Sequence, residues 1–104
     1  MSIINIPLRR FLHQPDVEFE YDPIKSEANL EKHGIDFEQA QELWKGRTVA
    51  LASSKDFGEP GFLVLGMIDG KHWTAAITYR GSRIRIISVR RSRRKEELYY
   101  DERD

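Results

Sequence analysis

Two tight-turn signals divide the second half of the chain into strands and set most of its fold. Asp69-Gly70 and Gly81-Ser82 each separate runs rich in β-branched and aromatic residues. Asp-Gly between two such runs is a strong hairpin signal, so consecutive runs are predicted to pair antiparallel. The predicted strands are Thr48–Ala52, Phe62–Ile68, His72–Tyr79 and Arg83–Val89, with a Gly- and Pro-containing loop at 55–61.

A strand and a helix are predicted at the start of the first half. Val17–Tyr21 alternates apolar and acidic residues, which predicts a half-buried strand. Asp22 and Pro23 then suit the N-cap and the first position of a helix. This helix is predicted to end at His33, because Gly34 suits the left-handed position that follows many helices.

A second helix is predicted to begin at Asp36 and to end at Gly46. Gln39 lies three residues after Asp36 and approximates a capping box, with Asp in place of Ser or Thr. The apolar residues of this segment recur at helical spacing on one face: Phe37, Ala40, Leu43 and Trp44.

The last predicted strand is expected to be central in its sheet. Ile84 and Ile86 should face one way. Ile87 and Val89 should face the other way, so both faces are apolar. Ser92 is predicted to cap a final helix. The order of strand, two helices, antiparallel strands and helix predicts an α+β fold.

Length and composition limit the possible classes of protein. The chain has 104 residues, which fits one domain, expected at 17–104, with an N-terminal arm at 1–16. The absence of Cys excludes a disulfide framework and a thiolate metal site. His13 and His72 lack partners at metal-ligand spacing, so no metal is predicted. Arg9 and Arg10 follow the short apolar start, the reverse of a secretory signal, and predict a cytoplasmic protein.

Charge is unevenly distributed along the chain although the net charge is zero. Residues 80–95 hold eight basic residues and no acid, whereas residues 1–79 hold twelve acids and eight bases. The eight are Arg80, Arg83, Arg85, Arg90, Arg91, Arg93, Arg94 and Lys95. Because Arg can bind phosphate through a planar fork, an acid-free run that is mostly Arg favours a polyanion such as RNA.

Three other interpretations of the Arg-rich run stay open. It could be a solvated surface with scattered ion pairs, a non-catalytic nucleic-acid-binding module, or a surface that docks an acidic protein. Metal-free RNA cleavage needs a base for the ribose 2′-OH, an acid for the leaving oxygen and cations for the charge on the phosphate. The sequence supplies many cations and few base candidates.

Helical residues supply further candidates. Lys25, Asn29 and Lys32 have the spacing of one helix face, and the two lysines could extend an RNA groove. Glu96 could act as a base, orient an Arg or form a plain helical ion pair. Tyr100, like Tyr99, could stack on a base or pack in the core.

The order of motifs resembles that of a known family. The run Phe19-Glu-Tyr-Asp-Pro-Ile-Lys25, with Asn29-Leu-Glu-Lys-His-Gly-Ile-Asp-Phe-Glu38, resembles the opening of BrnT-type toxins. The run Arg83-Ile-Arg-Ile-Ile-Ser-Val-Arg90, with Arg94-Lys-Glu96 and Tyr100, resembles their close. The resemblance implies a RelE-like fold and an endoribonuclease toxin of a type II toxin–antitoxin pair that halts translation.

The resemblance also implies partners. A cognate BrnA-like antitoxin with a ribbon-helix-helix part would neutralise the toxin, and the complex of the two would bind operator DNA. The matched polar positions are Lys25, Asn29, Lys32, His33, Arg80, Arg85, Ser88, Arg90, Arg94, Lys95, Glu96 and Tyr100. Tyr79 stands where an acidic residue is frequent in the family, so the resemblance supplies no base at that position.

Residues and resemblance together predict a metal-independent endoribonuclease with no cofactor. Arg80, Arg85 and Arg90 are expected to hold the scissile phosphate. Glu96 is the candidate for proton transfer or for orienting an Arg. The residues expected to extend the RNA-binding groove are Lys25, Lys32, Arg94 and Lys95. Those expected to give only general phosphate attraction or antitoxin contacts are Arg83, Arg91 and Arg93.

Overall fold

The computed structural model describes residues 17–53 and 61–103. Its elements are β1 (Glu18–Glu20), α1 (Pro23–His33), a 3₁₀ helix (Gln39–Lys45), β2 (Val49–Ser53), β3 (Gly61–Ile68), β4 (Lys71–Arg80), β5 (Arg83–Arg91) and α2 (Arg94–Glu102). The expected arm at 1–16 and most of the expected loop at 55–61 lie outside these residues. Within the two ranges, no helix has the length and apolar character needed to cross a membrane.

The five strands form one sheet in the order β1-β5-β4-β3-β2. Strands β2 to β5 pair antiparallel in chain order, as predicted, and the α+β class is confirmed. Strand β1 instead pairs parallel with β5, which the sequence did not predict. This pairing places Glu18 opposite Arg83 and Glu20 opposite Arg85.

Both predicted hairpin turns are confirmed. Asp69 and Gly70 have φ values of 51° and 76°, and such positive values are what the two-residue turns of twisted hairpins require. Gly81 has a φ of 61°, and Arg80 pairs with Arg83 across that turn. The turns therefore set the order and pairing of β3, β4 and β5.

A β-bulge in β5 changes which of its side chains share a face. Ile77 of β4 pairs with Ile86, whereas the preceding Ala76 pairs with Ser88, so Ile87 is an extra residue. The extra residue shifts the alternation by one position. Val89 consequently lies in the same buried cluster as Ile86. The prediction that Val89 faces away from Ile84 and Ile86 was wrong.

The main core lies between the first face of the sheet and the two N-terminal helices. Its buried members are Ile35, Phe37, Ala40, Leu43, Val64, Ala75, Ile77, Ile84, Ile86 and Val89. The buried residues predicted for the second helix, Phe37, Ala40 and Leu43, are among them. Trp44 is partly buried against this cluster, as expected of a core residue rather than a ligand platform.

The side chain of Asn29 fastens α1 to β5. Its Nδ2 donates to the backbone oxygens of Ile35 and Val89 at 2.8 and 2.9 Å, and its Oδ1 accepts from the Val89 N–H at 3.2 Å. Pairing of β1 with β5 ends at Arg85, so the amide bonds the β5 backbone beyond the point where β1 leaves. Asn29 is buried. It therefore does not share an exposed face with Lys25 and Lys32.

Helix ends agree with the predictions in part. The Asp22 carboxylate accepts from the Ile24 N–H at 2.9 Å, and Gly34 is left-handed with a φ of 80°. Asp36 and Gln39 exchange the two hydrogen bonds of a capping box. The helix that follows is 3₁₀ rather than α.

The predicted cap of α2 was wrong. Its N-cap residue is Arg93. The Ser92 hydroxyl instead bonds that of Thr74 at 2.8 Å. The carboxylate of Glu96, and not the Ser92 hydroxyl, bonds the backbone at the start of α2: it accepts from the Arg93 N–H at 2.8 Å.

Candidate functional site

Two groups of arginines lie on the second face of the sheet, opposite the main core. Cross-strand pairs share a face, and Arg85 pairs with Thr78 while Arg90 pairs with Thr74. Because of the bulge, both arginines are on the same face although they are five positions apart. Thr74 and Thr78 are four residues apart on β4, or about 13 Å at the usual strand rise of about 3.3 Å. The sheet thus carries the two groups at separate places.

The first group, called the arginine cluster, consists of Arg80, Arg83 and Arg85 around Glu20. Arg85 Nη1 donates to Glu20 Oε2 at 3.0 Å. Arg83 Nη1 lies 3.6 Å from Oε1, and Arg80 Nη1 lies 3.9 Å from Oε2. Three guanidinium groups therefore meet at one carboxylate, and Glu18 contacts Arg83 Nε at 3.3 Å from outside.

The cluster keeps Glu20 ionised. The hydrogen bond from Arg85 is the main cause that lowers the pKa of the Glu20 carboxyl. The charges of Arg85 and Arg80 and the contact with Arg83 lower it further, and desolvation opposes them. Among the described residues, the cluster holds three arginines around the single carboxylate of Glu20. The excess of positive charge gives the cluster the character of an anion site.

Parallel pairing of β1 explains why the cluster forms. Glu18 and Glu20 share one face of β1, Arg83 and Arg85 share one face of β5, and the register sets acids opposite arginines. Arg83 was expected to be a bystander, yet it contacts both acids. Sequence reasoning missed Glu20. The matching Glu-x-Glu and Arg-x-Arg patterns were the signal that could have found it.

The second group is centred on the ion pair of Arg90 and Glu96. The two Nη atoms of Arg90 donate to the two carboxylate oxygens of Glu96, both at 2.8 Å. Glu96 Oε1 also accepts from the Thr74 hydroxyl at 3.0 Å and from the Arg93 N–H. Arg90 is the main cause that lowers the pKa of Glu96 to about 2. The hydrogen bond in turn raises the pKa of Arg90.

This arrangement gives Glu96 little capacity to accept a proton near neutral pH. Its oxygens already accept four hydrogen bonds from Arg90, Thr74 and Arg93. A base works best when its pKa lies near the working pH, and a pKa of about 2 lies far below it. The geometry is that of a carboxylate that orients Arg90 and fixes the start of α2 on the sheet.

The remaining predicted site residues are exposed, and no contact between described residues joins their side chains to either group. Arg94 pairs only with Glu97, at 3.3 Å, among the contacts of the described residues. Lys25 and Lys32 are exposed on α1, and Lys95 is exposed on α2. The structure does not join these residues to the arginine cluster by any contact within 17–53 and 61–103.

Other polar and aromatic contacts hold α2 against the sheet. His72 Nε2 lies 2.9 Å from Asp101 Oδ1, a pair that the sequence did not predict. Tyr100 is buried, and its hydroxyl donates to the Arg47 carbonyl at 2.9 Å. The Arg47 guanidinium lies 3.8 Å from the centre of the Tyr100 ring. Tyr100 therefore packs in the structure and is not available to stack on a base.

The described residues contain no group of three or more His, Cys, Asp or Glu side chains that could hold a metal ion. A cleft of about 530 Å³ lies between the 3₁₀ helix and the β3–β4 turn. Its charged lining residues are four acids and one base: Asp36, Glu38, Glu42, Asp69 and Lys71. Such an acidic lining repels RNA, so the arginine cluster is the better candidate site.

Comparison with known families shows to which family the chain belongs. A model of the family described as "Ribonuclease toxin, BrnT, of type II toxin-antitoxin system" matches residues 21–96. A search of curated proteins found no match. The matched range includes Arg80, Arg83, Arg85 and the Arg90–Glu96 pair, and it begins just after Glu20. Since it covers well over half of the sequence, the chain belongs to the BrnT family of ribonuclease toxins of type II toxin–antitoxin systems.

Proposed function

We propose that this chain is an endoribonuclease that cuts RNA without a metal ion. The observation that carries the proposal is the arginine cluster, in which Arg80, Arg83 and Arg85 surround a single carboxylate. Three guanidinium groups in one place suit the charge that builds on phosphate oxygens when the neighbouring ribose 2′-OH attacks. In the proposed reaction Arg80 and Arg85 hold the scissile phosphate.

The second group supports the same RNA strand in this scheme. Arg90, oriented by Glu96, contacts another phosphate of the strand, beyond the one next to the cut, because it lies about 13 Å from Arg85 along the sheet. The bidentate bond at 2.8 Å holds the Arg90 fork in one orientation. The exposed cations proposed to extend the groove are Lys25, Lys32, Arg94 and Lys95.

The proposed biological role is supported by membership of the family. Residues 17–104 form a RelE-like toxin domain, and cleavage of RNA in the cytoplasm inhibits translation. A cognate BrnA-like antitoxin with a ribbon-helix-helix part neutralises the toxin, and operator DNA is bound only through the complex. Membership of a family of type II ribonuclease toxins supports these roles.

Cleavage of a single-stranded RNA by wild-type protein and by Arg85→Ala, both in excess chelator, tests the proposal. Wild-type protein should cut, and Arg85→Ala should cut on the order of 100-fold more slowly, as expected when one preorganised donor is removed. Lys45→Ala removes an exposed cation from the 3₁₀ helix and is the matched control. It should cut at the wild-type rate.

Two results would overturn the scheme. Cleavage that appears only after a divalent metal is added rejects the metal-free reaction. Tight, salt-sensitive RNA binding by a wild-type protein that never cuts makes the chain a non-catalytic binding module, since phosphate contacts alone produce that salt dependence.

A further inference from the structure

The arginine cluster contains a carboxylate that the proposed reaction has not used. Glu20 Oε2 accepts the hydrogen bond from Arg85. Its other oxygen, Oε1, lies 3.6 Å from Arg83 Nη1, a long and weak contact that still helps to lower the pKa of Glu20. The side chain is 24% exposed. Oε1 therefore has lone pairs that a substrate hydroxyl can reach.

From this geometry we propose that Glu20 is the general base that takes the proton from the attacking ribose 2′-OH. The inference rests on the proposed ribonuclease function and adds the group that this function lacks. A base must lie within hydrogen-bond reach of its proton, and the 2′-OH lies next to the phosphate that it attacks. A carboxylate that touches the phosphate-binding arginines meets this requirement.

The step balances in protons and bonds. Glu20 Oε1 accepts the 2′-OH proton as the 2′ oxygen forms its bond to phosphorus. The bond from phosphorus to the 5′ oxygen breaks, a solvent water protonates that leaving oxygen, and the products are a 2′,3′-cyclic phosphate and a 5′-OH end. Arg80, Arg83 and Arg85 keep their charge throughout and stabilise the phosphorane oxygens.

The charge balance of the cluster suits this role. Without substrate, the lowered pKa keeps Glu20 ionised at neutral pH and ready to accept a proton. A bound phosphate brings negative charge among the same arginines, which raises the pKa of Glu20 towards the range where a base is effective. The two effects make Glu20 deprotonated before binding and more basic after it.

The other carboxylates near arginines do not offer this combination. Glu96 is saturated by its bonds to Arg90, Thr74 and Arg93. Glu18 is 65% exposed and contacts Arg83 alone among the described arginines. It nonetheless shares its strand and face with Glu20. Glu18 is therefore a matched control, a neighbouring acid outside the meeting point of the three arginines.

The test compares wild-type protein, Glu20→Gln and Glu18→Gln on a single-stranded RNA oligonucleotide in chelator. Binding is measured separately with the 2′-O-methyl form of the same oligonucleotide, which has no 2′ proton to remove. Glu20→Gln should cut the RNA 100-fold or more slowly, the usual range for a lost general base. It should bind the 2′-O-methyl form at least as tightly, since one negative charge is gone. Glu18→Gln should cut within threefold of wild type.

A second measurement on wild-type protein does not depend on the folding of a variant. The rate of cutting of bound RNA should fall about tenfold for each pH unit below the pKa of Glu20 in the complex, over the range where circular dichroism shows a folded protein. A flat profile overturns the inference, as does cutting by Glu20→Gln within threefold of wild type. If wild-type protein does not cut at all, the ribonuclease proposal itself fails.

Discussion

Replacement of Glu96 by Gln should weaken the fold measurably, because this carboxylate joins β5, β4 and α2. The change removes the charge that pairs with Arg90, and it leaves one carbonyl oxygen in place of two carboxylate oxygens. The native side chain accepts two bonds from Arg90, one from Thr74 and one from the Arg93 N–H. Gln keeps the shape but cannot accept all four.

The expected loss in the free energy of unfolding can be obtained from the pKa shift of Glu96 and from the usual cost of breaking a buried ion pair, and the two values are similar. At about 1.36 kcal/mol for each pKa unit, the lowering of the Glu96 pKa from 4.5 to about 2 corresponds to at most about 3.4 kcal/mol. Partial exposure to solvent reduces this to about 2 kcal/mol. Removing one partner of a fully buried pair costs about 3–5 kcal/mol. Arg90 is 24% exposed and can turn towards water, so about 2–3 kcal/mol is expected.

Urea unfolding at pH 7 measures the change in the free energy of unfolding, with Glu102→Gln as control. Glu102 is on the same helix, 71% exposed and 3.9 Å from Arg103, so its loss should cost less than about 0.5 kcal/mol. The folded-state pKa of Glu96 is below its unfolded value, so its stabilisation is present above about pH 4.5. It is lost as the pH falls from 4.5 towards 2. A loss below about 0.5 kcal/mol for Glu96→Gln at pH 7 would refute the reasoning.

Two further substitutions test the packing that positions the sheet. Asn29→Ala should lower the free energy of unfolding by about 3 kcal/mol, because the Val89 N–H and carbonyl lose their partner; urea unfolding that shows under 1 kcal/mol contradicts this role. Gly66→Ala should cost about 1–3 kcal/mol in the same assay, because its Cβ would stand 2.7 Å from Leu43 Cδ2. Gly46→Ala, with no atom within 4 Å, is its control, and equal losses would contradict the packing argument.

Features that depend on neighbouring residues could be predicted from the sequence. The Asp69-Gly70 turn and the stop at Gly34 follow from the conformational freedom of Gly and Asp, and the structure has both. The bonds between Asp36 and Gln39 follow from spacing within a helix start. The strand limits agree within about two residues because their hydrophobic runs end at turn signals.

Features that depend on distant residues could not be predicted. The pairing of Glu18–Glu20 with Arg83–Arg85 joins segments that are 65 positions apart, and no local pattern specifies a parallel partner. The bulge at Ile87 is likewise invisible in a run of alternating side chains. Without it, Val89 was assigned to the wrong face.

The same distinction between local and distant features separates the site residues that the sequence predicted from the one that it did not. The arginines were predicted because an acid-free run of basic residues can be recognised directly in the sequence. Glu20 was missed because an acid on a half-buried strand is ordinarily a solvated side chain, and only the register of β1 on β5 brings it to Arg85. The electrostatic partner of a charge run therefore has to be sought on the strand that pairs with it.

The two arginine groups differ in how fully their charges are satisfied, and this difference separates stability from binding. Both carboxylate oxygens of Glu96 accept hydrogen bonds of 3.0 Å or less. A phosphate that binds Arg90 must therefore compete with Glu96 for the guanidinium group. Glu20 makes one such bond for three arginines. A phosphate that enters beside Arg85 competes with this single bond to Glu20 and not with a carboxylate that accepts four hydrogen bonds. Variants at Glu96 should therefore act mainly on folding, and variants at Glu20 mainly on RNA.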